Sequence, residues 1–160
     1  MPLEVCMTIN DNWGIHKLDE NHKSVRQLIN ILARCASRGA NYLLNVGPTA
    51  EGEILPVNAS RLKGVGDWLS KNGEAIYNTR AGTIQVPEHV VSTRKGDAHF
   101  VHMLDYISDC VSLQNVPENI TTAVLVEDNS PVKMAREGSK VILTIPPEQR
   151  DEFDTVVRLA

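Results

Sequence analysis

The run Tyr42-Leu43-Leu44-Asn45-Val46 is the feature that most limits how this chain can fold. It is nearly continuously apolar and is closed by Gly47-Pro48, a pattern typical of a strand buried on both faces. Strands of that kind are usually parallel, and a parallel sheet needs a covering layer on each face. The run therefore predicts a β/α arrangement around it.

Two amphipathic helices are predicted on either side of this strand. Apolar residues recur at helical spacing over residues 24–38, where Ser24 and Gln27 match a capping box and Gly39 lies where a C-terminal cap belongs. The second helix is predicted over residues 58–72, between Pro56 and Gly73. Its expected apolar face comprises Ala59, Leu62, Val65 and Leu69. Residues 1–80 thus predict the order strand, helix, strand, helix.

After residue 80 the pattern changes to short alternating runs. Strands are predicted at residues 83–86, 98–106, 122–126, 140–145 and 153–159. Turn sequences separate them at residues 95–97, 128–131 and 137–138. This half indicates a small antiparallel β-sandwich.

The change of pattern predicts two domains, residues 1–80 and residues 81–160. Two or three parallel strands cannot close a barrel or cover both faces of an open sheet. We therefore expect the first segment to need more chain, as a missing N-terminal portion, or self-association to cover Leu43, Leu44 and Val46.

Composition and charge exclude several classes of partner. The 16 basic and 20 acidic residues give a net charge of −4, and no run of Lys or Arg could follow a phosphate backbone, so nucleic acid is not expected. The apolar runs are far shorter than the ~20 residues of a membrane-spanning helix. No targeting sequence is visible, so the compartment is unknown.

Three cysteines, Cys6, Cys35 and Cys110, occur without CxxC spacing. An odd count without that spacing argues against a disulfide framework and a zinc site, and we expect buried thiols. Neither a metal nor a cofactor is predicted. His99 and His102 would lie on opposite faces of a strand, which disfavours a shared metal. Asn58 and Asn119 begin glycosylation triplets, which matter only in a eukaryotic secretory setting.

The densest group of chemically useful residues lies between Glu4 and Gly14, where a predicted strand enters a polar loop. In β/α barrels, catalytic groups lie on such loops at the carboxyl ends of strands. Glycosidases need paired carboxylates at the glycosidic bond, and aromatic faces pack against sugar rings. A carboxylate at Glu4 and an indole at Trp13 therefore suit a sugar site.

Three ordered segments strongly resemble the α-L-fucosidases of glycoside hydrolase family 29. They are Glu4-Val5-Cys6-Met7-Thr8-Ile9-Asn10-Asp11-Asn12-Trp13-Gly14, then Gly39-Ala40-Asn41-Tyr42-Leu43-Leu44-Asn45-Val46-Gly47-Pro48-Thr49, then Gly66-Asp67-Trp68-Leu69 with Asn72-Gly73-Glu74-Ala75-Ile76-Tyr77. The resemblance covers residues 4–80 most closely. It departs at Leu3 and Ile15, where the family usually has Trp and Tyr.

The resemblance implies a fold and an activity. The fold is α/β plus all-β, a partial (β/α)8-like barrel segment followed by a small antiparallel β-sandwich. The activity is that of a retaining exo-glycosidase that removes terminal α-linked L-fucose from glycans, in a periplasmic, extracellular or lysosomal setting. The family's nucleophilic aspartate lies on an earlier strand and has no match here, so we expect these 160 residues alone to be inactive.

Two site residues follow from the resemblance. Trp13 matches the aromatic residue that packs against the fucose C5 methyl group, and Glu4 matches a glutamate proposed as the general acid/base in some members. Asn45 ends the predicted strand and is a further substrate-binding candidate, although bonding to nearby loop backbone is the favoured role. The alternatives are a non-catalytic β-sandwich for domain packing, oligomer contacts or weak carbohydrate binding, and a decayed gene product.

Overall fold

The first third of the chain forms a β-α-β unit. The computed structural model describes residues 3–16 and 18–160. Strand β1 (Leu3–Thr8) and strand β2 (Ala40–Asn45) are parallel, and helix α1 (Val25–Ser37) connects them. The predicted capping box is confirmed, because the Ser24 hydroxyl accepts from the Gln27 amide and the Gln27 side chain accepts from the Ser24 amide. Gly39 follows the helix with φ +68°.

Helix α2 (Pro56–Asn72) continues into a 3₁₀ turn over Gly73–Ala75. It begins two residues earlier than predicted because Pro56 occupies the first helical turn, where a missing amide hydrogen is tolerated. The predicted apolar face is partly wrong. Val65 and Leu69 are partly buried against a core cluster, whereas Ala59 is exposed and the fully buried aromatic side chain of α2 is Trp68.

Residues 80–160 form two antiparallel sheets, and the predicted sandwich is confirmed. The five-stranded sheet has the order β3-β4-β5-β10-β7 and comprises Arg80–Ala81, Val90–Lys95, Ala98–Met103, Thr155–Leu159 and Ala123–Leu125. The three-stranded sheet has the order β6-β9-β8 and comprises Cys110–Leu113, Lys140–Thr144 and Lys133–Glu137. A second 3₁₀ turn covers Pro147–Gln149.

A large apolar core lies between the two sheets. Alternate residues of β5, β9 and β10 point into it, as the two-residue period of a strand requires. Its largest fully buried members include Met103, Leu113, Ile120, Leu143, Ile145 and Leu159. This core gives the sandwich the buried apolar area that a small β domain needs.

A second core joins the helices to the opposite face of the five-stranded sheet. Ile29 of α1 and Trp68 of α2 pack with Phe100 of β5 and Val156 of β10. The indole Nε1 of Trp68 also donates to the Asp154 carbonyl oxygen at 3.1 Å. Helix α1 contacts β2 as well as β4, so it lies between the parallel pair and the sandwich.

Several expectations about burial and strands are wrong. The run at Tyr42–Val46 is not buried on both faces, because Leu43 is 51% exposed on the side of β2 that faces away from α1. Residues 83–86 form only an isolated bridge between Gln85 and Gln114. Cys6 and Cys110 are exposed, and of the three thiols Cys35 alone is buried.

Strand β3 lies at the predicted domain boundary and pairs with β4 of the sandwich. The division into residues 1–80 and 81–160 stays a prediction, and the shared core around Trp68 shows that the two stretches pack together. Across residues 3–16 and 18–160, no helix combines the length and apolar character needed to cross a bilayer.

Candidate functional site

Six side chains share the open face of the parallel pair. Register pairs Glu4 with Asn41, Cys6 with Leu43 and Thr8 with Asn45, and paired residues of neighbouring strands point to the same side of a sheet. The opposite face packs on α1. The face that carries Glu4 and Asn45 is therefore the one free to meet another molecule or more chain.

Glu4 is exposed near the start of β1, and the Cys6 Sγ donates to its Oε1 over 3.6 Å. Desolvation raises the pKa of the Cys6 thiol, and the hydrogen bond and charge of Glu4 raise it further, so the thiol stays protonated as the donor. Thr8 at the end of the strand lies four positions after Glu4, a distance of about 13 Å at the usual rise per residue. Glu4 thus lies near the amino end of β1, far from the loop that follows the carboxyl end of the strand.

The loop after β1 is attached to the end of β2. Asn45 Nδ2 donates to the Trp13 carbonyl oxygen at 2.7 Å, and the Ile9 amide donates to the Asn45 carbonyl oxygen at 3.0 Å. Gly47 is buried directly against Gly14, and a Cβ added to Gly47 would lie 2.6 Å from the Gly14 carbonyl carbon. These contacts hold Trp13 beside the carboxyl ends of both strands.

Asp19 organises the same loop from the other side. Its Oδ2 accepts from Asn10 Nδ2 at 2.9 Å, from the Asp11 amide at 3.0 Å and from Asn12 Nδ2 at 2.7 Å. Its Oδ1 accepts from the Asn21 amide at 3.1 Å. The hydrogen bond from Asn12 is the largest of the effects that lower the pKa of Asp19, so the carboxylate is ionised at neutral pH.

Lys23 and His22 fasten the end of the loop to the fold. Lys23 Nζ donates to the Thr8 carbonyl oxygen at 2.7 Å, and its amide donates to the Ile9 carbonyl oxygen at 2.8 Å. His22 Nδ1 donates to Asn58 Oδ1 at 2.8 Å. Asn58 is buried by this contact, so its glycosylation triplet is inaccessible, whereas Asn119 is exposed.

The two tryptophans have opposite environments. Trp13 is 60% exposed on the loop that Asn45 and Asp19 hold, whereas Trp68 is 3% exposed in the core. Large aromatic side chains are usually buried, so an exposed indole on an ordered loop is informative. It offers an apolar face to a ligand without a large loss of loop entropy.

The structure therefore places Trp13 and Asn45 together at the carboxyl ends of the two strands. Glu4 lies on the same face of the sheet, near the amino end of β1. Asn45 bonds the loop backbone, which is the role favoured from the sequence, and its direct substrate contact stays a prediction. Sequence reasoning missed Asp19 and Lys23. The signal available for Asp19 was the cluster Asn10-Asp11-Asn12, whose short polar side chains commonly bond local backbone.

The two histidines of β5 lie on opposite faces, as the strand period predicts. His102 is fully buried, with Nδ1 2.8 Å from Asp154 Oδ2 and Nε2 3.4 Å from Thr93 Oγ1, on the side of the helices. His99 lies at the other face near Arg94. Among the described residues, no three His, Cys, Asp or Glu side chains are grouped so as to hold a metal ion.

Comparison with known proteins gives one consistent family. The family model described as alpha-L-fucosidase matches residues 1–74. An alpha-L-fucosidase of Branchiostoma floridae is 33% identical over 159 residues, which cover 94% of this chain and 35% of that protein. Human tissue alpha-L-fucosidase is 37% identical over 128 residues, which cover 75% of this chain and 27% of that protein.

Solved structures agree over the whole described fold. Alpha-L-fucosidase isoenzyme 1 from Paenibacillus thiaminolyticus superposes with a TM-score of 0.91 at 34% identity, covering 100% of this chain and 40% of that one. The Thermotoga maritima alpha-fucosidase in complex with fucose gives 0.84 at 26% identity, covering 98% and 39%. The resemblance found in the sequence is thereby confirmed: the chain matches α-L-fucosidases in sequence and in fold, and it spans about a third of the length of the curated relatives it matches.

Proposed function

We propose that this chain forms one wall of the fucose site of a retaining exo-α-L-fucosidase acting on terminal fucose of glycans. The observation that carries the proposal is the exposed Trp13, held at the carboxyl ends of two parallel strands by Asn45 and Gly47. That end of a β/α sheet is where ligands bind. The Thermotoga maritima relative with this fold was solved with fucose bound.

Trp13 has the chemistry to recognise a 6-deoxy sugar. An indole face packs favourably against an apolar methyl group but gains nothing from a hydroxyl that must be desolvated. Fucose carries a methyl group where its relative L-galactose carries a hydroxymethyl group. Asn45 acts as a positioning residue, because its side-chain Nδ2 donates a hydrogen bond to the Trp13 carbonyl oxygen.

Glu4 is the proposed proton donor of the reaction. It is the carboxylate among the six side chains on the open face of β1 and β2. A retaining mechanism needs a second carboxylate about 5 Å from the first to act as the nucleophile. No partner of that kind faces Glu4 within the described residues, so we expect the nucleophile to come from outside these 160 residues.

Two measurements on the purified 160-residue chain test the proposal. Nitrophenyl α-L-fucoside should not be hydrolysed, and steady release of nitrophenol would contradict the assignment of the nucleophile to another segment. In a nitrogen-15 NMR titration, millimolar L-fucose should shift the amides of residues 9–16 more strongly than L-galactose does.

Variants make the titration specific to the indole. Trp13→Ala should weaken the fucose response about tenfold, since one lost apolar contact of methyl size is worth roughly 1–3 kcal/mol. Ile107→Ala is the matched control, because Ile107 is also an exposed apolar side chain but lies in the loop after β5. Equal loss in both variants, or equal responses to the two sugars, would refute the role of Trp13.

A second candidate function is bracing of the β/α segment by the sandwich. The observation that favours it is the shared core of Ile29, Trp68, Phe100 and Val156. A chain ending after Ala81 would expose this apolar surface, so it should be less soluble and less helical by circular dichroism than the full chain. An unchanged helical signal would contradict the bracing role.

A further inference from the structure

A small polar depression of about 220 Å³ opens at one end of the β-sandwich. Its polar lining comes from three separate stretches of chain: Thr83 before β4, Arg94, Asp97 and His99 around the β4–β5 hairpin, and Asn119 between β6 and β7. Each of these residues brings a hydrogen-bonding side chain to the same place. None of them belongs to the loop that carries Trp13.

Strand register explains why these side chains meet. Arg94 and His99 are direct partners in the antiparallel pair of β4 and β5, so their side chains point to the same face of the sheet. Gly96 takes a φ of +60° in the turn that joins the strands, which leaves Asp97 at the tip of the hairpin. The hairpin thus sets three chemically different groups side by side.

His99 is the group that points to a ligand. His99 is buried, with 7% of its surface exposed. Its Nδ1 is buried as well and bonds no other described residue. The Nε of Arg94 is buried and unbonded in the same way within the described chain. Buried polar atoms are nearly always hydrogen-bonded in folded proteins, so two unsatisfied atoms on side chains that line one depression indicate that ordered water or a polar ligand group completes their bonding there.

The opposite wall of the depression is held rigidly. Arg136 of β8 donates to the carbonyl oxygens of Val116 at 3.3 Å, Pro117 at 3.1 Å and Ile120 at 2.8 Å. One guanidinium therefore fixes the backbone on both sides of Asn119. A preformed wall lowers the entropy lost when a ligand binds.

The balance of charge selects the class of ligand. Arg94 and Asp97 lie together, so an anion would meet the carboxylate and a cation would meet the guanidinium. Desolvation is the main cause that lowers the pKa of His99, with the nearby Arg94 acting in the same direction, so its ring is neutral at pH 7. A neutral imidazole has one donor and one acceptor nitrogen, as a sugar hydroxyl requires.

We propose that this depression binds one ring of a neutral saccharide, with Arg94, Asp97, His99 and Asn119 bonding its hydroxyl groups. The volume is below the roughly 300–1,000 Å³ of sites for drug-sized ligands, which suits a single sugar unit at the end of a longer glycan. The proposal rests on the sandwich alone and does not require the fucose site at Trp13.

The nitrogen-15 titration of the 160-residue chain also tests this site. Neutral probes are the methyl glycosides of galactose, mannose, fucose and N-acetylglucosamine, and inorganic sulfate is the charged probe. At least one glycoside should shift the amides of residues 94–99 and 117–119 at millimolar concentration. No shift with any glycoside, or a response to sulfate alone, would overturn the proposal.

Substitutions at the rim separate binding from stability. Asp97→Ala should weaken binding of the responding glycoside about tenfold, because a hydrogen bond to a charged group is lost, and Asn119→Ala should weaken it less. Glu118→Ala is the control, since Glu118 is exposed in the same turn but does not line the depression. An unchanged affinity in Asp97→Ala, or equal losses in all three variants, would refute the site. Shifts at residues 94–99 without shifts at residues 9–16 would support this proposal independently of the fucose site.

Discussion

Replacing Gly47 by alanine tests how the Trp13 loop is held. A Cβ at this position would lie 2.6 Å from the carbonyl carbon, 2.9 Å from the carbonyl oxygen and 3.0 Å from the Cα of Gly14. All three neighbours are backbone atoms, so no side-chain rotation can relieve the contact. The loop that carries Trp13 must move away from the end of β2.

The cost can be estimated from the contacts that the movement strains. Overpacking by one methyl group in a closely packed place costs about 1–3 kcal/mol. The bond from Asn45 Nδ2 to the Trp13 carbonyl oxygen contributes about 1 kcal/mol more if the loop shifts far enough to break it. We therefore expect Gly47→Ala to lower the free energy of unfolding by roughly 1–4 kcal/mol.

Urea unfolding followed by circular dichroism measures this loss, and nitrogen-15 spectra show where the structure changes. The amides of residues 9–16 should shift, while those of the sandwich stay in place. Gly14→Ala is the matched control, because a Cβ on Gly14 meets nothing within 4 Å. If Gly47→Ala and Gly14→Ala have the same urea midpoint and the same loop spectra, the inferred contact does not hold the loop.

The remaining predictions concern the core and the loop's charge. Trp68→Phe should cost about 1–3 kcal/mol of unfolding free energy in urea, because the Asp154 carbonyl oxygen loses its donor, whereas the exposed Trp13→Phe should stay within about 0.5 kcal/mol. Equal losses would contradict the burial argument. Because the pKa of Asp19 is lowered in the folded loop, its stabilising contribution is complete above the unfolded value of about 3.9 and is lost as pH falls through the folded pKa. The NMR amide shifts of Asp11 and Asn21, followed from pH 7 into acid, should change as Asp19 is protonated. Asp19→Asn should abolish this pH-dependent change, and a change that persists in the variant would refute the role of Asp19.

Local signals predicted the elements whose formation depends on nearby residues. Helix α1 was predicted within one residue at each end, because Ser24, Gln27 and Gly39 act within one turn of the helix ends. The turn at residues 95–97, where Gly96 has a φ of +60°, followed from its sequence in the same way. The fucosidase segments at residues 4–14 and 39–49 were visible because they are contiguous.

Burial was less predictable because it depends on what lies opposite a residue. Leu43 has the side chain of a core residue, yet nothing in the described chain covers its face of β2. Cys6 is exposed on the same face for the same reason. Strands β4, β6 and β8 were not predicted. In β4, Val91 and Thr93 face helix-side partners that a two-residue period alone does not reveal.

The sequence by itself determined the strand-helix-strand-helix order of residues 1–80, the antiparallel sandwich that follows and the family resemblance, since these depend on local spacing and contiguous motifs. Only the tertiary structure decided that Asn45 and Gly47 hold Trp13, that Asp19 organises its loop, and that Arg94, His99 and Asn119 meet at one depression. Those contacts join residues far apart in the chain. Their geometry follows from strand register and packing, which no local pattern specifies.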